Sequence, residues 1–331
     1  MTDYRVTIMD KGKVALVPHP FDDVPQADEI VGEDLISLIS TGSERGGVTQ
    51  QFAPGSYPME TGSSSIAKVL AVGADVTAYK PGDLFYHNCH HTRYVKLKAD
   101  DAIPVPAGAK PEQLIFGRYA AVSMTSIFHM TAKPVDSVIV TGQGQVGLMC
   151  AATLQAFGFR VYAVDPSPER RENSHSAGIL HVGESLKALG VSEKSCGALM
   201  ECSGNENALR DAIPYLRRGA EAFQIGVPWH KYSDWDAHDL LYELFYAYIS
   251  IHGGWEWSIP LKDDDFHAHS GYSHIRTAME MIAEGKITVP ETMYELRDPV
   301  TCGQVYADIA APVMRPVSMI LDWRQFKEAE A

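Results

Sequence analysis

Three groups of residues in this sequence have types and spacing that could do chemistry. The first is Gly142-Gln143-Gly144-Gln145-Val146-Gly147, a complete G-x-G-x-x-G. An apolar, β-branched run at Ser137 to Thr141 precedes it, and Gln145 to Phe157 follows with helical spacing. Strand, glycine turn and helix are the context in which this motif binds a dinucleotide. Gly142 allows the tight turn, Gly144 lets a pyrophosphate approach the backbone, and Gly147 lets helix and strand pack closely. Free N–H groups at the helix start would face the phosphates.

The second group lies at the end of the next strand pattern, Phe159 to Val164. Asp165 stands where a carboxylate accepts ribose hydroxyls and repels a 2′-phosphate. Arg170 and Arg171 follow it. They offer a 2′-phosphate ligand, a solvated helix face or a neighbour for adenosine. Asp165 occupies the decisive place, so NAD is expected, with NADP as the alternative.

The third group is Tyr86-His87-Asn88-Cys89-His90-His91. Histidine changes charge near neutral pH and is the natural general base where no metal acidifies an alcohol. Alternation would place His87, Cys89 and His91 on one face of an extended segment. His91, nearer the strand pattern Tyr94 to Leu97, is the first candidate and His87 the second. Two other readings stay open: a cluster without chemistry, or a small metal site built from His87, Cys89, His90 and His91. Asp263 to His269 contains three acids and two histidines and reads as a solvated loop.

The elements that must position these groups alternate. Ala198 to Cys202, Glu206 to Leu216, Ala222 to Val227 and Ile249 to His252 continue the strand–helix rhythm, with Ser167 to Ala177 as a polar helix between strands. Such alternation means βαβ units and a parallel sheet. The first 110 or so residues differ. Gly and Pro punctuate short strands there, at Pro54-Gly55, Gly73, Pro81-Gly82-Asp83, Pro104 and Pro106, with Ser65 to Val72 the clearest strand. Glu112 to Met130 and Tyr272 to Glu284 read as helices, and Val317 to Asp322 as a last strand. The expected fold is α/β: a doubly wound Rossmann sheet over 119–258, inserted in a β-rich domain made of 1–118 and 259–331.

Composition excludes several classes. With 331 residues, 45% hydrophobic and 21% charged, the chain is an ordinary globular protein of about two domains. Its 28 basic and 42 acidic residues give a charge of −14, which argues against nucleic acid and anionic membranes. Met1 to Arg5 shows no basic segment leading into an apolar stretch, and the five cysteines form no C-x-x-C pair. Reduced thiols in a cytoplasmic protein are therefore expected.

Taken together, the chain resembles the medium-chain dehydrogenase/reductase family, the alcohol dehydrogenase-like enzymes. Besides the glycine motif, the resemblance rests on Thr41-Gly42-Ser43-Glu44, Pro81-Gly82-Asp83, Thr125, Glu201-Cys202-Ser203-Gly204, Ile225-Gly226-Val227 and His252-Gly253-Gly254, in that order and spacing. It implies a GroES-like catalytic domain, a Rossmann domain and a cleft between them where hydride moves. It further implies that Gly142, Gly144, Gln145, Val146 and Gly147 hold the pyrophosphate, with Val146 against the nicotinamide. Asp165 would take the ribose, with Arg170 beside the adenosine. Ser203 and Asn205 would lie near the adenosine ribose, and Thr125, Ile225, Val227 and Ser250 around the nicotinamide. Relatives of this kind are homodimers or homotetramers.

The departures from the family pattern are as informative. Where many members hold a catalytic zinc, this chain has Thr41, Ser63 and Ala121, and no lobe of spaced cysteines follows Asp83. Hydroxyls are poor ligands for zinc and a methyl group is none. The resemblance is thus to the zinc-lacking branch, which includes bacteriochlorophyllide dehydrogenase-like and sugar or polyol dehydrogenases. The expected activity is NAD-dependent interconversion of a secondary alcohol and a ketone on a polar, cyclic small molecule such as a sugar or cyclitol. Rival expectations are an NAD(P)H-dependent reductase of activated alkenes or quinones, and a silent NAD-binding protein. Ser43 matches a proton-relay position or caps its loop. Tyr119 and His252 are reserve acid–base groups. Arg118 would hold substrate or pair with Glu44. Thr41, Ser63 and Tyr57 are candidate substrate contacts, and Trp229, Tyr232 and Trp235 line a cleft or pack.

Overall fold

The computed structural model describes residues 1–49, 57–311 and 317–328. Its two compact units are Met1–Ile115 with Glu291–Ala331, and Phe116–Pro290. The expected turn at Pro54-Gly55 lies outside the described residues.

The first unit opens with strands β1 (Thr2–Asp10), β2 (Lys13–Pro20) and β3 (Glu29–Leu38), then helix α1 (Thr41–Thr49). Strands β4 (Met59–Glu60), β5 (Ser65–Val72), β6 (Leu84–His87), β7 (Tyr94–Lys98) and β8 (Ile103–Pro104) follow, and a short helix α2 (Pro111–Leu114) closes this stretch. β2, β1 and β4 make one antiparallel sheet. β3 pairs with both β5 and β7, and irregular register at Val31/Gly32 and Asp34/Ile36 bends it. Gly32 is required in β3 because a Cβ there would lie 2.6 Å from the Phe85 ring.

The second unit starts with helix α3 (Gly117–His129), so the single helix expected over 112–130 is two. Strand β9 (Ser137–Thr141), helix α4 (Gln145–Ala156), strand β10 (Arg160–Val164), helix α5 (Pro168–Ser176) and strand β11 (Val182–Gly183) come next. Then follow β12 (Cys196–Glu201), α6 (Glu206–Ala212), β13 (Leu216–Gln224), α7 (Ala237–Ala247), β14 (Ser250–Gly253) and α8 (Gly271–Ala283). The sheet runs β11-β10-β9-β12-β13-β14, all parallel. Chain order reverses between β9 and β12, the crevice where a doubly wound sheet takes its ligand. Apolar runs such as SVIVT are read correctly as buried strands: Val138, Ile139, Leu199 and Met200 are fully buried. Ser167 caps α5, its side chain accepting from the Arg170 N–H, with Pro168 in the first turn.

Residues 259–290 group with this second unit, whereas the sequence reading assigns them to the first. The reason is packing: α8 lies so close along α3 that a Cβ at Gly117 would sit 2.8 Å from Met279 Cγ. The chain then returns to the first unit through β15 (Tyr294–Arg297), α9 (Cys302–Ala310) and β16 (Ser318–Asp322). β16 pairs antiparallel with β3, completing the sheet β15-β16-β3-β5-β6-β8. Val6, Ile8, Ile39, Val305, Met319 and Leu321 form the core that ties the two chain ends together. Among the described residues, no helix is long and apolar enough to cross a membrane.

Candidate functional site

The candidate residues divide between the two units. The glycine turn lies at the carboxyl end of β9 in the second unit. Gly142 has φ +76°, and a Cβ on it would press to 2.7 Å against Ser203. Gly147 allows no side chain, since its Cβ would lie 1.7 Å from the Gly142 carbonyl oxygen. Gly144 is the opposite case: nothing lies within 4 Å of its Cβ position. Two glycines are thus demanded by the fold and one leaves open space beside the start of α4. That space fits a pyrophosphate, which needs close backbone approach.

Asp165 is buried and held by two backbone donors, Gln143 N–H at 2.7 Å on one oxygen and Ser167 N–H at 2.8 Å on the other. A carboxylate offers about four acceptor sites, so each oxygen keeps capacity for a ribose hydroxyl. Arg170 approaches Asp165 at 3.6 Å. Arg171 is committed to the Asp165 and Pro166 carbonyls at 2.8 and 2.9 Å.

Glu201, at the end of β12, was absent from the sequence-based site. It accepts from Thr141 Oγ1, Ser203 N–H, Gly204 N–H and Gln224 Nε2, and also from the Ser203 hydroxyl. These donors sit at the carboxyl ends of β9, β12 and β13, neighbours in the sheet, so one buried carboxylate ties three strand ends together beside the glycine turn. The visible signal was an acid inside the apolar strand run ALMEC. Ser203 donates to Glu201, and Asn205 caps α6 by accepting from the Asn207 N–H. Gln145 is buried and Val146 half-buried at the start of α4; Ile225 is half-buried, Val227 exposed and Thr125 buried within α3. Ser250 is exposed on β14, level with Glu221. His252 stacks on Phe223 with ring centroids 4.9 Å apart and reaches Glu221 at 3.6 Å. Tyr119 is buried. Arg118 forms a two-pronged ion pair with Glu256 and lies 5.9 Å from the Trp257 ring centroid. Glu256 was not among the partners considered for it from sequence.

In the first unit, the alternation argument places His87 and His91 on the buried side. His87 is 1% exposed, with Nε2 2.8 Å from Asp34 Oδ1 and Nδ1 accepting from the Cys89 N–H at 3.2 Å. Both nitrogens are occupied. His91 is 0% exposed, its Nε2 3.2 and 3.3 Å from the two Glu44 oxygens. Its Nδ1 is buried with no partner. Glu44 also accepts from Ser40 N–H at 2.6 Å, from Thr61 Oγ1 at 2.9 Å and from the Tyr306 hydroxyl. Neither Asp34 nor Tyr306 was foreseen as a partner, because each lies far from the histidines in sequence.

His90 points the other way. It is exposed, with Nδ1 3.3 Å from the Gly62 carbonyl oxygen. Ser63, next to Gly62, is half-buried, as is Thr41, while Ser43 is exposed. Tyr57 donates to the Gly47 carbonyl and packs on the core instead of standing free. Trp235 packs against the second unit's core and Tyr232 is largely exposed. Among the described residues, no group of three or more His, Cys, Asp or Glu is placed to hold a metal ion.

One buried histidine is strongly displaced. Burial, with His269 adjacent, pushes the His274 pKa down to about 4. An unfolded histidine titrates near 6.5. His274 therefore contributes fully above pH 6.5 and loses its contribution as pH falls toward 4. Stability measured by denaturant titration is expected to fall over that window, and His274→Phe should flatten the fall. A wild-type protein equally stable at pH 6.5 and pH 4 would contradict the His274 assignment.

Comparison with known proteins adds to this geometry. The family profile described as "Zinc-binding dehydrogenase" matches residues 146–260. Sorbitol dehydrogenase of Bacillus subtilis (strain 168) is 25% identical over 145 residues, 41% of this chain and 41% of that protein. L-threonine 3-dehydrogenase of Anaeromyxobacter sp. (strain Fw109-5) is 25% identical over 224 residues, 54% of this chain and 63% of that protein. The chain thus spans less than two thirds of the length of these curated relatives. Galactitol-1-phosphate dehydrogenase from Escherichia coli superposes with a TM-score of 0.78 at 18% identity, covering 96% of this chain and 99% of that one. A dehydrogenase of Sinorhizobium meliloti 1021 bound to NADP gives 0.76 at 15% identity, covering 97% and 99%. Acetophenone reductase from Geotrichum candidum NBRC 4597, in complex with NAD, gives 0.77 at 15%, covering 98% and 98%. These structural likenesses establish the shared fold, a β-rich GroES-like domain with a Rossmann domain.

Proposed function

We propose that this chain, which belongs to the medium-chain dehydrogenase/reductase family, is a zinc-independent, NAD-dependent oxidoreductase that interconverts a secondary alcohol and a ketone. The observation that carries the reading is the open space over Gly144, with Asp165 held by two N–H groups at the end of the neighbouring strand. Gly142 to Gly147 and the start of α4 would hold the pyrophosphate, and Asp165 the ribose hydroxyls. Bound there, the dinucleotide supplies a hydride acceptor. The buried Asp165 carboxylate disfavours a 2′-phosphate; of the neighbouring cations, Arg170 lies 3.6 Å from that carboxylate and Arg171 is engaged by carbonyls.

Zinc independence rests on residue types. Threonine, serine and alanine at positions 41, 63 and 121 are a donor set that does not fit a zinc ion. The alcohol proton must then pass to a side chain. A polar, polyol-like substrate is favoured because relatives are named for sorbitol, L-threonine and galactitol-1-phosphate. The test is NADH production by the purified protein from a panel of sugars, cyclitols and simple alcohols, with and without phenanthroline, alongside titration of both dinucleotides. Turnover of at least one secondary alcohol, resistant to the chelator, and tighter NADH than NADPH binding are expected. Loss of activity on chelation would refute zinc independence, and tighter NADPH binding would reverse the cofactor assignment. Saturation of an activated alkene with no alcohol turned over would replace the reaction.

A further inference from the structure

We propose that Gln143 is a positioning residue for dinucleotide recognition, an assignment that rests on the dinucleotide reading above: its buried side chain locks the glycine turn to α5 and fixes the spacing between the pyrophosphate cradle and Asp165. Every residue involved lies in the second unit.

Gln143 stands between Gly142 and Gly144 but is 0% exposed, so it acts through its neighbours and not by touching a ligand. Its backbone N–H donates to Asp165 Oδ2 at 2.7 Å. Its side chain runs elsewhere. Nε2 donates to the Val140 carbonyl at 3.3 Å, and Oε1 accepts from the Ser174 hydroxyl at 3.2 Å. The Val140 carbonyl can only accept, which puts the amide nitrogen on that side and leaves the oxygen for Ser174. Ser174 is also 0% exposed and sits in the last turn of α5. Its hydroxyl lies 3.1 Å from the Arg170 carbonyl one turn earlier, the acceptor it would fall back on without Gln143.

These contacts close a ring. Gln143 N–H holds one Asp165 oxygen and Ser167 N–H holds the other at 2.8 Å. Ser167 caps α5, and α5 carries Ser174 back to the Gln143 amide. The carboxylate is gripped from the turn on one side and from the helix start on the other, and one side chain joins turn to helix. An apolar residue would fill a buried position more cheaply, because an amide taken out of water must have its hydrogen bonds returned. Both are returned here by partners on two different elements, β9 and α5. That directional bracing is what an amide offers and an apolar side chain does not.

The consequence falls on a ligand that spans both points. A pyrophosphate at Gly144 and a ribose on Asp165 are covalently joined, so the two subsites act together only while their spacing is held to about 0.5 Å. A ligand that touches one subsite alone does not sense that spacing.

The experiment titrates the full chain with NADH and, separately, with adenosine, which carries the ribose hydroxyls and no phosphate. Ligand-observed NMR reads the weak adenosine binding. Gln143→Met keeps the length, removes both side-chain bonds and leaves the backbone N–H on Asp165. It is expected to weaken NADH by about 10-fold, the effect of two neutral hydrogen bonds, and to hold adenosine within about 2-fold of wild type. Ser174→Ala removes one of the two bonds and should weaken NADH by about 3-fold, again sparing adenosine. Equal losses for NADH and adenosine would make the contact merely structural and overturn the assignment. Unchanged NADH affinity in folded Gln143→Met also overturns it; where that variant does not fold, Ser174→Ala decides by the same comparison. NADH binding with no adenosine signal in the wild type would unseat Asp165 as the ribose subsite, and the positioning role with it. A wild type that binds neither ligand fails the underlying dinucleotide reading instead, and is told apart because there is then no affinity for the variants to lose.

Discussion

Gly144→Val is expected to abolish dinucleotide binding, by about 100-fold or more, and to leave the melting temperature unchanged. Gly147→Ala is expected to lose both. The contrast follows from the two positions. Gly144 has φ −76° and ψ −163°, an extended conformation open to any residue, and its Cβ would meet nothing within 4 Å. Valine there fills space that belongs to no other protein atom, which is the space a pyrophosphate would occupy. At Gly147 a Cβ would lie 1.7 Å from the Gly142 carbonyl oxygen. A Cβ is fixed by the backbone, so no rotamer relieves that clash and the turn itself must move. Titration with NADH beside a thermal melt separates the cases. Wild-type affinity in Gly144→Val would place the phosphates somewhere other than this turn.

The parts of the fold that were legible in the sequence share a physical trait: they are determined locally. SVIVT at Ser137 to Thr141 and SIAKVLAV at Ser65 to Val72 form the expected strands, with the same boundaries, because a β-branched apolar run has few other places to go. Three helices escaped: α1, α7 and α9. α1 contains three glycines in TGSERGGVT, which is poor helix sequence, and Glu44 reaches back to the Ser40 N–H at 2.6 Å to hold its start. α7 is apolar on more than one face: Leu240, Leu244 and Ala247 pack on the core, while Leu241, Tyr242, Phe245 and Tyr246 are exposed, and none of its residues is fully buried. Its signal was the box formed by Asp236 and Asp239.

The site divides in the same way. The glycine turn and Asp165 are contiguous along one βαβ unit, so spacing finds them. The histidine segment is different. Period-two alternation correctly groups His87 with His91, yet which face is buried depends on Asp34 and Glu44, 53 and 47 residues away in sequence. Strand register alone cannot supply that choice. A buried acid with several donors, such as Glu201 or Glu44, leaves no periodic trace at all. It becomes visible only once distant turns converge on it.

Glu44 accordingly yields the largest expected stability effect. Burial alone would raise its pKa, but the His91 ring, the Tyr306 hydroxyl and the Ser40 N–H bring it below the ordinary carboxylate value. Tyr306 is driven the other way, well above its usual value, by its own burial and then by the Glu44 charge. The tyrosine therefore stays a donor and the glutamate a charged acceptor. Glu44→Gln keeps the size but turns one acceptor into a donor that faces donors. Taking the charge away from the donors that converge on it costs roughly 1.5–3 kcal/mol. For a unit of this size that is a fall in Tm of roughly 3–12 °C. Tyr306→Phe removes one donor and leaves the carboxylate with Ser40, Thr61 and His91, so it should cost only about 1 kcal/mol. The double variant should lose less than the sum, because Tyr306→Phe removes one of the donors that glutamine would leave unsatisfied. Denaturant melts of the two single variants and the double variant measure all three quantities. If Glu44→Gln melts with the wild type, the carboxylate is not the charged hub that the convergence of Ser40, Thr61, His91 and Tyr306 requires.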